Sequence, residues 1–220
     1  MTDSLALAPA PTDPPTPADP QTEPLMARLR TATREVHDAL HETSALGLLL
    51  APSLSAAAYG AILERFDALL EAADTQVLIP AAPWFAAQGF DWTSRRDALA
   101  RDLADLADHS AAAAPGRPRP SPPTLDLPAT PGAALGVLYV LEGSRLGGRG
   151  LARHLQGALP RPITGATRFL GSPGVDLGAH WRRVGGLIDR AGADPATADA
   201  AVAAAVHTFS VFTLWFERPR

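Results

Sequence analysis

Leu25, Leu29, Ala32, Val36 and Leu40 recur at steps of three and four, which predicts an amphipathic helix with one face turned to a core. Tyr59, Ile62, Leu63, Phe66, Leu69 and Leu70 keep the same rhythm, and Ser53 or Ser55 can cap the helix that they mark. Thr93 and Ser94 can cap a third helix running to about His109, with Leu99, Leu103 and Leu106 inside. A fourth is expected from near Pro131 through Leu155, and a fifth from about Val175 to Ala191. Asp194-Pro195 opens the last, a capping carboxylate followed by proline at the first helical position, and apolar spacing carries it to Trp215. No segment alternates with a period of two, no strand–helix–strand rhythm appears, and Asp91-Trp92 is at most a turn. The pattern therefore predicts an all-α fold.

Two stretches break the pattern. Residues 1–24 hold seven of the 22 prolines and few large apolar side chains, so they cannot bury enough surface to offset chain entropy. A disordered proline-rich tail is expected there. Residues 115–131 hold seven more prolines and read as a loop between helical halves. The remaining residues, 25–217, suffice for one domain with a sizeable core.

Composition removes several chemistries. Cysteine is absent, so there is no disulfide framework, thiolate metal site or cysteine nucleophile. All 19 basic residues are arginine, which excludes lysine Schiff bases and Walker-type lysines. A net charge of −4 argues against general nucleic-acid binding. No apolar run reaches eighteen residues and no signal-peptide pattern opens the chain, so no membrane span and a cytoplasmic location are expected.

The fourth helix is unusual. Gly136, Gly143, Gly147, Gly148 and Gly150 fall within it, and five glycines cost a helix about 5 kcal/mol relative to alanine. Gly136, Gly143, Gly147 and Gly150 share an arc of roughly 60°. Such a face lets either another helix or a flat ligand lie against the backbone, and it permits a kink. Lipid is excluded by Glu142, Arg145, Arg149 and Arg153 around the segment. Gly148-Arg149-Gly150 follows no strand and lacks a third glycine, so it is not a phosphate loop. The run Glu142-Gly143-Ser144-Arg145-Leu146-Gly147 misses the serine-hydrolase elbow at both flanks.

On the first helix, His37 borders the apolar stripe one turn before His41, and Arg30 lies two turns earlier, roughly 10 Å away along the axis. The two histidines have zinc-site spacing without the glutamate of HExxH, and Glu-x-x-His pairs for a di-iron bundle are missing. His37 is a candidate ligand or an ordinary surface histidine. Phe209, Phe212, Trp215 and Phe216 read as core and secondarily as a pocket wall. Arg168, Arg182 and Arg183 read as surface charges, any one of which can pair with a ligand carboxylate.

Residues 29–37 (LRTATREVH) and 138–148 (LYVLEGSRLGG), taken together, resemble the haem oxygenase family, and most closely its bacterial branch, which includes enzymes that accompany bacteriophytochromes. The resemblance covers roughly 25–217. It implies a single helical domain with haem sandwiched between a proximal and a distal helix. It implies that His37 is the iron ligand, and that Gly143, Ser144, Gly147 and Gly148 form the catalytic distal segment. Arg30, Tyr139 and Phe209 then join His37 in binding the cofactor, with Arg30 on a propionate. The implied reaction cleaves haem with O2 to biliverdin, carbon monoxide and ferrous iron, so haem is both cofactor and substrate. The implied electrons come from an external donor such as ferredoxin or a flavoprotein reductase, and the implied purpose is either supply of biliverdin to a bacteriophytochrome or release of iron. Where animal relatives carry an aspartate, this chain has Ser144, and His41 stands where they carry a carboxylate beside the proximal imidazole. Gly150 replaces an apolar residue. A non-catalytic haem carrier or sensor on the same fold, and a helical protein-interaction domain, are the rival readings.

Overall fold

The computed structural model describes residues 23–41, 44–109 and 119–217. Helix α1 spans Leu25–His41 and is followed by a one-turn helix, Ser44–Gly47, and a 3-10 turn, Leu48–Leu50. Helix α2 spans Ala56–Ala73, α3 Ile79–Ala87 and α4 Arg96–His109. Helix α5 spans Pro131–Ala158, α6 Leu177–Ala191 and α7 Pro195–Glu217. No strand occurs among the described residues. The segment read as a tail lies outside them except for Glu23 and Pro24, as do 115–118 of the proline-rich loop and the side chain of His41.

The helix starts follow local chemistry. Ser55 is the cap of α2, its Oγ accepting from the Ala58 N–H at 3.2 Å. Thr130 caps α5 through Ala133, and Asp176 caps α6 through Ala179. Asp194 caps α7, accepting from the Thr197 N–H and hydroxyl. At α4 the Ser94 hydroxyl accepts from the Arg96 N–H and donates to Asp74.

One expectation needs correction, and one helix runs on beyond the apolar residues that mark it. The apolar face of α1 does not include Ala32, which is exposed; Thr33 is buried in its place. Thr33 is accommodated because its hydroxyl donates to the Leu29 carbonyl at 2.7 Å. The second helical segment also extends well past Leu70: α2 passes through a π-helical turn, Asp74–Leu78, into α3. Pro80 and Pro83 lack an N–H and crowd the preceding turn, and a widened turn just before them relieves that crowding.

Helix α5 runs through the centre, with Gly132–Leu138 and Val140–Glu142 buried. Helix α7 packs along both α5 and α1, whereas α1 and α5 scarcely touch one another. Helix α6 bridges the two at one side, meeting α5 through its first turns and α1 through Gly185 and Gly192. By length and apolarity α7 could cross a membrane, but Phe209, Phe212, Trp215 and Phe216 are buried in the core, which accounts for its composition. Helices α1 and α5 thus both lie against α7, with α6 reaching from one to the other at one side.

Candidate functional site

The glycines of α5 do not share one environment. A Cβ on Gly132 would come within 2.6 Å of Ala200 Cβ and 2.7 Å of the Thr197 carbonyl. One on Gly136 would collide with the Ala201 carbonyl and lie 2.7 Å from Ala205 N. These two let α7 approach, as the helix-packing reading expects. On the same face farther along, a Cβ on Gly143 would meet the ring of Trp181 at 3.4 Å, and one on Gly147 or Gly150 would meet nothing within 4 Å. The face that α7 fills at its start is open at Gly147.

Gly148 is turned about 100° from Gly147. A Cβ there would lie 2.6 Å from the Leu170 carbonyl in the one-turn helix Arg168–Gly171. The structure thus places Gly148 in a helix contact, away from the open face. That short helix is itself fixed by Asp102, whose carboxylate accepts from the N–H groups of Arg168 and Phe169 and from the Arg168 side chain.

His37 stands on α1. Its side chain is 49% exposed, and its ring meets Phe209 of α7 edge-on at 5.7 Å. Its Nδ1 lies 3.2 Å from Asp38 Oδ1. A carboxylate only accepts, so this pairing puts the Nδ1 proton between the two groups and the lone pair of the neutral ring on Nε2. Asp38 is thus a carboxylate beside this imidazole. Arg30 is exposed on the same helix, and Tyr139 is half-buried on α5, 5.8 Å from the Trp181 ring.

Behind the open face lies a buried polar cluster. Arg95 donates from Nη1 to the Leu141 carbonyl at 3.0 Å and to Ser144 Oγ at 3.1 Å, and from Nη2 to the Phe169 carbonyl. Its guanidinium stacks 4.5 Å from the Phe169 ring, and its buried Nε has no hydrogen-bond partner among the described residues. Burial, aided by the charge of Arg145 and opposed by Glu142, pushes the Arg95 pKa down to about 10, so it remains cationic at neutral pH. Ser144 in turn donates to the Leu141 carbonyl at 2.7 Å.

Glu142 is also buried, and one of its oxygens accepts from Arg145 at 2.8 Å and from His180 Nε2 at 2.6 Å. Burial alone raises its pKa. The His180 hydrogen bond, the charge and hydrogen bond of Arg145 and the charge of Arg95 outweigh that and hold it below the usual range.

Of the residues singled out in the sequence, His37 and Phe209 touch, Tyr139 and Gly143 meet the same indole, Ser144 is held from behind, and Gly147 is open. Arg95, His180 and Trp181 carry no local signature. Their partners on α5 lie 38 to 49 residues away, and only tertiary structure brings them together.

A family model described as Heme oxygenase matches residues 23–218. Compared with curated protein sequences, the chain has no significant match. Among the solved structures that share its fold are two heme oxygenases. One is the heme oxygenase of Neisseria meningitidis in NO- and CO-bound forms, 22% identical, covering 88% of this chain and 90% of that one at a TM-score of 0.62. The other is the heme oxygenase of Leptospira interrogans, 18% identical, covering 89% and 99% at a TM-score of 0.61.

Proposed function

This chain belongs to the haem oxygenase family, and from that premise we propose that it binds haem between α1 and α5 and cleaves it to biliverdin. The observation that carries the reading is the open face at Gly147 on α5, together with an imidazole on α1 whose Nδ1 is engaged by Asp38. The residues fit such a ligand. A flat molecule needs a face without Cβ atoms, and a metal already held in a macrocycle needs one neutral imidazole from the protein. Bound haem supplies both the iron at which O2 is reduced and the carbon that is oxidised, with carbon monoxide and ferrous iron as the other products.

The chain's own groups have separable roles. His37 Nε2 is the iron ligand, oriented by Asp38 and braced by Phe209. Arg30 pairs with a propionate and Tyr139 borders the pocket. Gly147 leaves room for the plate, and Gly143 lets the Trp181 indole lie close to the helix beside it. Ser144 commits its proton to the Leu141 carbonyl and one lone pair to Arg95. It keeps one lone pair with which to accept from a water in the cleft, so it orients that water and does not itself supply a proton. Arg95 keeps the hydroxyl in this arrangement and adds a positive charge beneath it.

The functional unit in this reading is 25–217, with 1–24 outside it. The location is cytoplasmic, the electron donor is a ferredoxin or flavoprotein reductase, and the reaction serves either biliverdin supply to a bacteriophytochrome or iron release. Hemin titration followed by turnover with ascorbate or ferredoxin, with chromatography of the pigment, tests the reading. A Soret band altered by His37→Ala but not by His41→Ala, together with biliverdin, is expected. A Soret band without pigment would make the protein a haem carrier, and no Soret band would leave a helical interaction domain.

A further inference from the structure

Haem has four meso carbons that differ only in their position relative to the ring substituents, so the product isomer is decided by how the plate is rotated in its cleft. Charged contacts can hold the propionates at the mouth. The apolar periphery offers no such handle, and only a rigid wall can limit its rotation. One such wall stands in this structure.

Along the glycine face beyond Gly136, the nearest side chain is the indole of Trp181, 3.4 Å from where a Cβ of Gly143 would lie. Four residues on, at Gly147, that cover has ended. The ring of Tyr139 braces the indole from the same helix at 5.8 Å and 44°. The backbone that carries it is tied to α5 at several points. His180 donates to the buried carboxylate of Glu142 at 2.6 Å, Arg149 Nη2 donates to the Val175 carbonyl at 2.7 Å, and Arg145 Nε donates to Ser172 Oγ at 3.3 Å. Four residues beyond Trp181, Gly185 meets Met26 of α1, so the helix bearing the indole reaches from α5 to α1.

We infer that Trp181 is a specificity-determining residue: its indole is the stop on the α6 side of the cleft that fixes the rotation of the haem, and hence which meso carbon lies over the Gly147 face. The His180–Glu142 pair is a positioning contact that acts through the indole. This inference rests on the haem reading proposed above.

The test compares the hemin-reconstituted parent with Trp181→Leu, Trp181→Phe and His180→Ala. Haem-methyl proton resonances of the cyanide-bound ferric complex report rotational seating without turnover, and chromatography reports the biliverdin isomers. One dominant seating is expected in the parent. Trp181→Leu should add a second set of methyl resonances and change the isomer ratio about tenfold, the scale of discrimination that a shape-fitting pocket supplies, while the Soret position stays put. Trp181→Phe and His180→Ala should move both readouts the same way by less. Where the leucine variant fails to fold, the phenylalanine variant carries the test. Unchanged methyl resonances and isomer ratio in hemin-loaded Trp181→Phe and His180→Ala would overturn the assignment. A parent with no Soret band would overturn the haem reading beneath it, and a parent that binds hemin in several equal seatings would overturn this inference alone.

Discussion

Gly136 and Gly147 lie on one face of one helix, yet they answer to different neighbours. At Gly136 the absence of a side chain is used up by α7, whose backbone occupies the space. At Gly147 the same absence faces open space. Composition cannot tell the two apart, because the residue and the helical face are the same. What separates them is where α7 lies: it follows the start of α5, while its later residue Phe209 sits against His37 of α1. A glycine stripe is therefore a permission for close approach, and the partner decides what is permitted.

The sharpest way to break this comparison is to add one methyl group at each end. Gly136→Ala should destabilise the haem-free protein by at least about 1–3 kcal/mol, since a helix backbone has to yield. Gly148→Ala, facing the Leu170 carbonyl, belongs with it. Thermal or urea melts check both, and a melting temperature within error of the parent's for Gly136→Ala would erase the distinction. Gly147→Ala should do the reverse, stabilising the haem-free chain by up to about 1 kcal/mol through helix propensity. It should still lower the biliverdin yield per bound haem. A destabilised Gly147→Ala with normal yield would mean that this glycine, too, packs a helix.

A gentler probe uses the cluster behind the open half. The folded-state pKa of Glu142 is depressed, so its ionised form stabilises the fold above the ordinary value of 4.5, and that contribution is lost as pH falls through the depressed value. Asp74 runs the other way. Burial chiefly, with the charge of Glu142, raises its pKa against the pull of Ser94 and Arg96, so its ionisation costs stability as pH rises past 3.8. Glu142→Gln should accordingly be destabilising at neutral pH, with the deficit shrinking as pH drops below 4.5. A deficit independent of pH would show that only the shape of the side chain matters.

Much of the scaffold was legible because it is written locally. Ser55, Pro131 and Asp194-Pro195 announce helix starts within a few residues of chain, and the structure starts a helix at each. Helix α3 was not legible, since a nine-residue helix holding Pro80 and Pro83 looks like a loop until the wide turn before it is known. The family motifs mark the glycine segment and His37, but they do not say which glycine faces what. Glu142 shows why charge is a poor guide here: it reads as one of a ring of surface charges with Arg145, Arg149 and Arg153, yet its carboxylate is buried because Arg145 and His180 converge on it. Arg95 and Trp181 are invisible for the same reason, as their roles exist only in contacts across tens of residues.

The Leu141 carbonyl has a consequence of a different kind. A carbonyl oxygen has two lone pairs, and Arg95 and Ser144 both donate to this one. Its regular helical partner, the amide of Arg145, therefore competes for an acceptor that is already served. If that turn of α5 opens, the oxygen is not stranded, so opening there is cheaper than at the packed end. The amide of Arg145 should exchange with deuterium faster than those of residues 136–140, giving the helix a soft joint between its clamped and its open half. Arg95→Leu should slow that exchange by returning the carbonyl to its own helix.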